Sequence, residues 1–487
     1  MYKKILFVLF MCFCQMSEAK IVIYPYIVDK ELKENTSYRV SVKPVKGNDT
    51  EWKELQVLNV GVDMDTKQTA AMAQFDMDES VDVKIESTMN DLDSICIRPR
   101  SHEIAWRRKS SRIIEFTINR PVKISVEFNG DIFHNLHLFA NPIETESFDI
   151  TNDKETIIWN NNTHDIFRKK CNLIYFGPGV HLPKDLPNNE IVIPGNCTVY
   201  LAPGALVKAR LRIDKVENVR ILGRGYLFHP LRGIEISNSR HVMVDGITVI
   251  NPMHYTVFGG GSNDVVIRNI KSFSDRGWCD GIDLMCCQNW LIDDVFLRTS
   301  DDCLAFYNHR WWYWGDSRNI TVKHSILWAD VAHAIQIGLH GDDISSKGET
   351  IKNISFKDID VLNVDEDDDL YRGVMSITCG DKNHVKNVLF ENIRVDNCQE
   401  ARLIDVRVNY NQKYNRAPGG RIENIVFRNI SFSGNEDNLS PSRIMGYDKF
   451  SDVRNVLLEN ISVNGKLWQD TNMLHLNEHV SDLKIKY

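Results

Sequence analysis

The chain is predicted to be all-β, a right-handed parallel β-helix over residues 166–487 preceded by a small antiparallel β-sandwich over 20–165. Three observations predict it. A short motif recurs nine times in the C-terminal two thirds, and apolar and polar residues alternate with period two before that. The composition, 43% apolar and 25% charged with only 27 Gly and 14 Pro in 487 residues, is that of an ordinary folded chain. The length implies two domains or one large elongated architecture.

Residues 1–19 read as an address. Lys3 and Lys4 precede the apolar run Ile5 to Cys14, and Ser17-Glu18-Ala19 places small residues where a signal peptidase cuts. The run is too short to span a bilayer, and neither Cys12 nor Cys14 follows the small residue that lipidation needs. The mature protein is therefore expected to be exported, periplasmic or extracellular. The whole chain's net charge of −8 offers no basic field, which argues against nucleic acid and membrane insertion. Nine cysteines remain after cleavage, an odd number without zinc-like spacing, and they read as buried thiols.

From Lys20 to Asp165, runs such as Arg39-Val40-Ser41-Val42 and Pro121 to Phe128 alternate inward and outward residues, with Asn129-Gly130-Asp131 as a turn. These are the strands of the sandwich. The polar stretch Thr151 to Asp165, with Asn160-Asn161-Asn162, reads as the domain junction.

The repeat then begins: an Asn-like residue, an apolar, a polar, an apolar. It starts at Asn218, His241, Asp264, Asn289, Asn319, Asn353, Asn387, Asn424 and Asn455, with spacings between 23 and 37 residues. Each copy is one rung, and no rung is stable alone. Stacking buries columns of Val, Ile and Phe about 4.8 Å apart. The recurring Asn is expected to form an amide ladder at a turn.

In a β-helix, residues one rung apart in sequence lie one above another. Asp280 precedes Asp301 and Asp302 by 21 and 22 residues, so the three carboxylates are expected to converge. Three such charges repel, which raises at least one pKa and lets a carboxylic acid and a carboxylate coexist near neutrality. Glycoside hydrolysis needs that pairing: one group protonates the leaving oxygen while another activates water, with no metal or cofactor. A calcium site is the rival reading of the same cluster.

Asp280-Gly281-Ile282-Asp283, Asp301-Asp302-Cys303 and Ala332-His333-Ala334-Ile335-Gln336-Ile337-Gly338 together resemble the polygalacturonase family, glycoside hydrolase family 28. The family's motifs there are Asn-Thr-Asp-Gly-x-Asp, Gln-Asp-Asp-Cys and Gly-His-Gly-x-Ser-Ile-Gly. Val199 to Ala205 is similar to its first rungs, and the resemblance covers about residues 170–465. A sandwich ahead of the helix, with Tyr175 to His181 at the join, also resembles the related dextranase family 49. The resemblance implies a pectin-lyase-like fold and an inverting mechanism. Asp301 would be the general acid, Asp280 and Asp302 would hold and deprotonate the water, and His333 would sit beside the acid. Asp283 is placed in a turn or behind the catalytic groups, in contact with substrate at most.

The departures point to a different sugar. The family binds the uronate carboxylate through Arg-Ile-Lys on a later rung, where this chain has Ser376-Ile377-Thr378. Trp278-Cys279 replace Asn-Thr, and Ala332 and Ala334 replace the glycines flanking the histidine. About ten extra residues separate Asp302 from His333, carrying His309-Arg310-Trp311-Trp312-Tyr313-Trp314. Trp290 and Trp328 fall on rung positions and read as core. Trp311, Trp312 and Trp314 lie off the pattern in a loop and read as a platform for pyranose rings, and His254 is placed at a neighbouring subsite. The expected partner is a polysaccharide or oligosaccharide with α-glycosidic bonds. Two other readings stay open: a polysaccharide lyase on the same solenoid, and a non-catalytic carbohydrate-binding solenoid.

Overall fold

The computed structural model describes residues 20–46, 50–148, 150–151, 155–160, 171–183, 186–344, 347–469 and 473–487. The leader assigned to 1–19 and much of the junction assigned to Thr151–Asp165 lie outside these residues. The described residues contain strands and short 3-10 turns and no α-helix.

The N-terminal region is two sheets packed face to face. Tyr38–Pro44, Val81–Ser87 and Ile113–Ile118 form the middle of one; Gln68–Met77, Asp131–Pro142 and Val122–Phe128 form the middle of the other. Their inward residues, among them Val40, Val83, Ile85 and Phe116 against Phe75, Ile124, Leu136 and Leu138, make one buried core. The sheets are not wholly antiparallel. Asp131–Pro142 runs parallel to Gln68–Met77, with Leu136 opposite Ala71, because the intervening chain crosses to the other sheet and returns.

The rest is a right-handed parallel β-helix with three faces. An eleven-stranded parallel sheet forms one face, and a twenty-one-stranded sheet wraps the other two. The solenoid starts ahead of residue 166: Thr156–Ile158 already pairs in parallel with Leu173–Phe176, covering an edge that would otherwise be open.

The nine repeat residues, from Asn218 to Asn455, all have positive φ, between 52° and 60°. Each is a one-residue left-handed corner inside a strand pair rather than part of a longer turn, and Asn and Asp tolerate that conformation best among residues with a side chain. The ladder forms there. Asn319, Asn353, Asn387, Asn424 and Asn455 each donate an Nδ2 proton to the Oδ1 of the Asn one rung earlier, at 2.7–3.0 Å. Inside, Phe356, Phe390 and Phe427 stack with ring centroids 4.9 and 4.7 Å apart, close to the rung spacing.

The sandwich lies along one face of this solenoid. Val60, Val62, Met72 and Phe139 pack on Phe228, Ile250, Phe273, Phe296 and Trp328 of successive rungs. At the centre of the contact, Arg298 and Asp330 are both fully buried and paired at 2.9 Å. The same guanidinium reaches Asn135 Oδ1, His137 Nε2 and the Ile132 carbonyl of the sandwich. The Asp63 N–H donates to Asp330 at 3.3 Å. Each member of this pair stands three residues before a residue of the carboxylate-bearing turns, Asp301 or His333.

Candidate active site

The turns joining the sandwich-covered face to the eleven-stranded face carry the site. On successive rungs they hold Tyr255, Asp280, Asp301-Asp302 and His333, immediately before the strands Val257–Gly260, Ile282–Met285, Leu304–Tyr307 and Ile335–Gly338. Backbone pairing sets the vertical order: the Gly281 N–H donates to the Asp302 carbonyl at 2.9 Å, and the Cys303 N–H to the His333 carbonyl at 2.8 Å. Glycine follows Asp280 because the rungs touch there; a Cβ on Gly281 would stand 2.3 Å from the Cys303 carbonyl oxygen.

The sequence-predicted convergence occurs. One carboxylate oxygen from each of Asp280, Asp301 and Asp302 lies within 4.8 Å of the others, and Asp301 is the least buried of the three. Burial first, and the neighbouring carboxylates Asp283, Asp301 and Asp302 second, push Asp280 far above the usual carboxylate range. Asp301 is pushed up to about 6 by burial and by Asp302, against the N–H groups of Trp278 and Asp302 that donate to it. An acid with that value is half protonated close to neutrality. The same oxygens are close enough to hold a hard cation such as calcium.

His333 sits elsewhere than the family pattern implies. Its N–H donates to Asp302 Oδ1 at 3.0 Å and its Nδ1 bonds the same oxygen at 2.7 Å, so its direct hydrogen bonds go to Asp302 rather than to Asp301. Burial, the largest single effect, works against its protonated form, but Asp302, Glu366 and Asp405 together outweigh burial and raise its pKa. The reason is register: the turn before Ile335–Gly338 stacks on Asp302-Cys303, while Asp301 bulges outward toward Trp278.

Asp283 is not in a turn. It points outward from the middle of Ile282–Met285, whose Ile282 and Leu284 face the core. It is fully buried, receives no N–H or hydroxyl, and has the Asp280 carboxyl as its hydrogen-bonding neighbour. Burial, then Asp302 and Asp301, raise its pKa well above the ordinary value against the pull of Arg310.

The tryptophan loop divides. Trp311 stacks on Tyr255 at 5.9 Å and packs edge-on against Phe258 at 5.5 Å, so one face of its ring is spent on packing under the loop. Trp312 is 65% exposed. Trp314 stacks on His309. His254 is half-buried with its ring 6.0 Å from Trp311, and burial plus Arg232 and Arg310 lower its pKa to about 4, leaving it neutral. Trp290 and Trp328 are buried, Trp290 in the solenoid core and Trp328 under the sandwich.

Four residues of the site were missed in the sequence. Trp278, 75% exposed and with φ of 60°, supplies the backbone donor to Asp301 at 2.8 Å. Arg310 spreads its guanidinium between the rings of Tyr255, Tyr307 and Trp311, 5.3–6.0 Å away, on the same side as Asp280 and Asp283. Gln336 stands two rungs from Asp283 in the same column, fully buried, with neither amide atom bonded. Tyr371 lies 5.4 Å from the His333 ring with its hydroxyl unbonded. Gln336 was visible in the motif, where the family has Ser; Tyr371 had no signal, because it comes from a loop between rungs.

A model of glycosyl hydrolases family 28 matches residues 211–480. A polygalacturonase of Juniperus ashei is 26% identical over 208 residues, 40% of this chain and 36% of that protein. Exopolygalacturonase B of Aspergillus niger is 22% identical over 263 residues, 51% of this chain and 56% of that protein. The matched region thus spans between about a third and somewhat over half of these curated relatives. In structure, Dex49A from Penicillium minioluteum superposes with a TM-score of 0.66 at 16% identity, covering 93% of this chain and 94% of that one, which shows the shared fold. The family match takes in every turn that carries a carboxylate of the site and more than half of the residues, and on that ground the chain belongs to glycosyl hydrolases family 28.

Proposed function

We propose that this protein is an exported glycoside hydrolase that cleaves α-glycosidic bonds of a polysaccharide or oligosaccharide by acid–base catalysis on three aspartates. The carrying observation is the convergence of the Asp280, Asp301 and Asp302 carboxylates within 4.8 Å. Asp301, the most accessible and with a pKa of about 6, is the acid that protonates the leaving oxygen. Asp302, paired to His333, accepts the proton of the attacking water, and Asp280, kept protonated by burial and its acidic neighbours, helps to hold that water.

We propose inversion at the anomeric carbon, as the family pattern implies. The closest oxygens are nearer than the roughly 6.5–9.5 Å usual between two inverting carboxyl groups. A third carboxylate changes that arithmetic, because the water is held between two acceptors instead of alone in a wide gap. Proton NMR of the first product decides: the β anomer from an α-glycan supports inversion, and the α anomer refutes it.

The sugar in the central subsite is neutral in this reading, so the protein is not a standard polygalacturonase. Ser376 and Thr378 bond each other at 3.1 Å on the strand where the family pattern carries its cations. The cations that follow in register one and two rungs on, Arg407 and Arg443, are engaged by Asp405 at 2.8 and 2.9 Å. Incubation with neutral and acidic plant, microbial and algal α-glycans, and identification of the released sugar, tests this; release of galacturonate alone would overturn it. A lyase would instead yield an unsaturated product absorbing in the ultraviolet, and a binding solenoid no product at all.

A further inference from the structure

Asp283, Ala305 and Gln336 stand in register on three successive strands of the eleven-stranded face, all pointing away from the core. Phe258 continues the column on one side and Ser376 and Asp405 on the other. A groove for a threaded polysaccharide would leave this whole column open. It is closed at both ends.

On one side, Phe258 lies fully buried under Trp311, which Tyr255 backs from below and the Arg232 guanidinium holds at 4.8 Å from its ring. On the other, residues 365–373 are laid directly on the floor. A Cβ on Gly373 would meet Ser376 Cβ at 3.0 Å and Asp405 Cβ at 3.1 Å, and Tyr371 packs at a tilt between His333 and Tyr414, with ring centroids 5.4 and 5.0 Å away. What remains between the walls is three rungs, about 10 Å. That stretch holds a cluster of buried polar atoms without protein hydrogen bonds, among them both amide atoms of Gln336, Nε2 of His333 and the hydroxyl of Tyr371. Buried polar atoms cost free energy unless something bonds them, and sugar hydroxyls supply both donors and acceptors.

We propose that the site is a dead-end pit that admits one end of a glycan, making the enzyme exo-acting with a mono- or disaccharide product. The inference rests on the hydrolase reading above. It agrees with the placement of the acid: Asp301 is the least buried carboxylate, so the leaving chain departs outward, past the exposed rings of Trp278 and Trp312.

The test follows polymer viscosity and reducing ends together, with product sizing, on polygalacturonate, dextran and neutral algal and plant α-glycans. Reducing ends that accumulate at unchanged viscosity, with mono- or disaccharide as product from the first minutes, are expected. An early fall in viscosity with mixed long oligosaccharides would overturn the exo assignment and leave the hydrolase reading standing. No release from any polymer would sink both. The variant Trp311→Gly removes one wall at a residue with φ of 55°, a conformation glycine adopts freely. It should lengthen the released product by at least one sugar; an unchanged product in a folded variant would show that Trp311 is not the wall.

Discussion

Two pairs of fully buried polar residues lie on neighbouring rungs, on opposite sides of the catalytic turns. On the sandwich side, Arg298 and Asp330 meet with every guanidinium nitrogen bonded, and Trp328 stacks on the cation at 4.1 Å. On the groove side, Asp283 receives no N–H from the chain and neither amide atom of Gln336 is bonded. The difference separates support from work. A satisfied ion pair braces the turns that carry Asp301 and His333, while unbonded groove side chains keep their hydrogen-bonding capacity for a ligand.

The contrast can be broken at either side. Asp301→Asn should lower turnover by about 10²–10⁴-fold while the fold persists. The parent should lose activity as pH rises through about 6, where Asp301 gives up the proton it must donate. The same raised value has a consequence for stability: ionising a carboxyl whose folded pKa lies above its unfolded one costs stability as pH climbs between the two. Thermal unfolding should therefore find Asp301→Asn more stable than the parent above pH 6 and equal to it in acid.

Arg298→Met should cost about 3–5 kcal/mol in denaturant unfolding, since Asp330 would be left charged and buried. Loss of that size with the groove intact would confirm that the sandwich braces the site; an unchanged midpoint would deny it. Gln336→Leu should go the other way, leaving stability equal or higher by about 1 kcal/mol while kcat/KM falls, because no protein bond is removed. A Gln336→Leu enzyme destabilised with normal kinetics would make the residue structural. The smallest effect is at Ala332, whose φ of 69° strains a residue with a Cβ. Ala332→Gly should gain about 1 kcal/mol, less the entropy glycine loses on folding, measured as a small rise in Tm.

The repeat made the solenoid legible because a left-handed corner in every rung demands Asn, Asp or His at fixed positions, and the ladder they form leaves a period in the chain. The same periodicity brought Asp280 to Asp301 and Asp302: spacing along the chain becomes height along the helix when rungs stack. Loops obey no such rule. Arg310 was in plain view beside three tryptophans, yet its place over Tyr307, close enough to act on Asp280 and Asp283 by charge, depends on how the insert folds back. Tyr371 and Gly373 arrive on the floor from between rungs, and nothing in their neighbours announces it.

What local pattern dictated, then, is the architecture, the family and the meeting of the three carboxylates, since each follows from residues that repeat or stand one rung apart. The order of contacts within the site came from three-dimensional packing alone: His333 on Asp302 rather than Asp301, the sandwich against the middle rungs, and the two walls across the groove. Those contacts join residues far apart in the chain through side-chain shape, and shape carries no period to read.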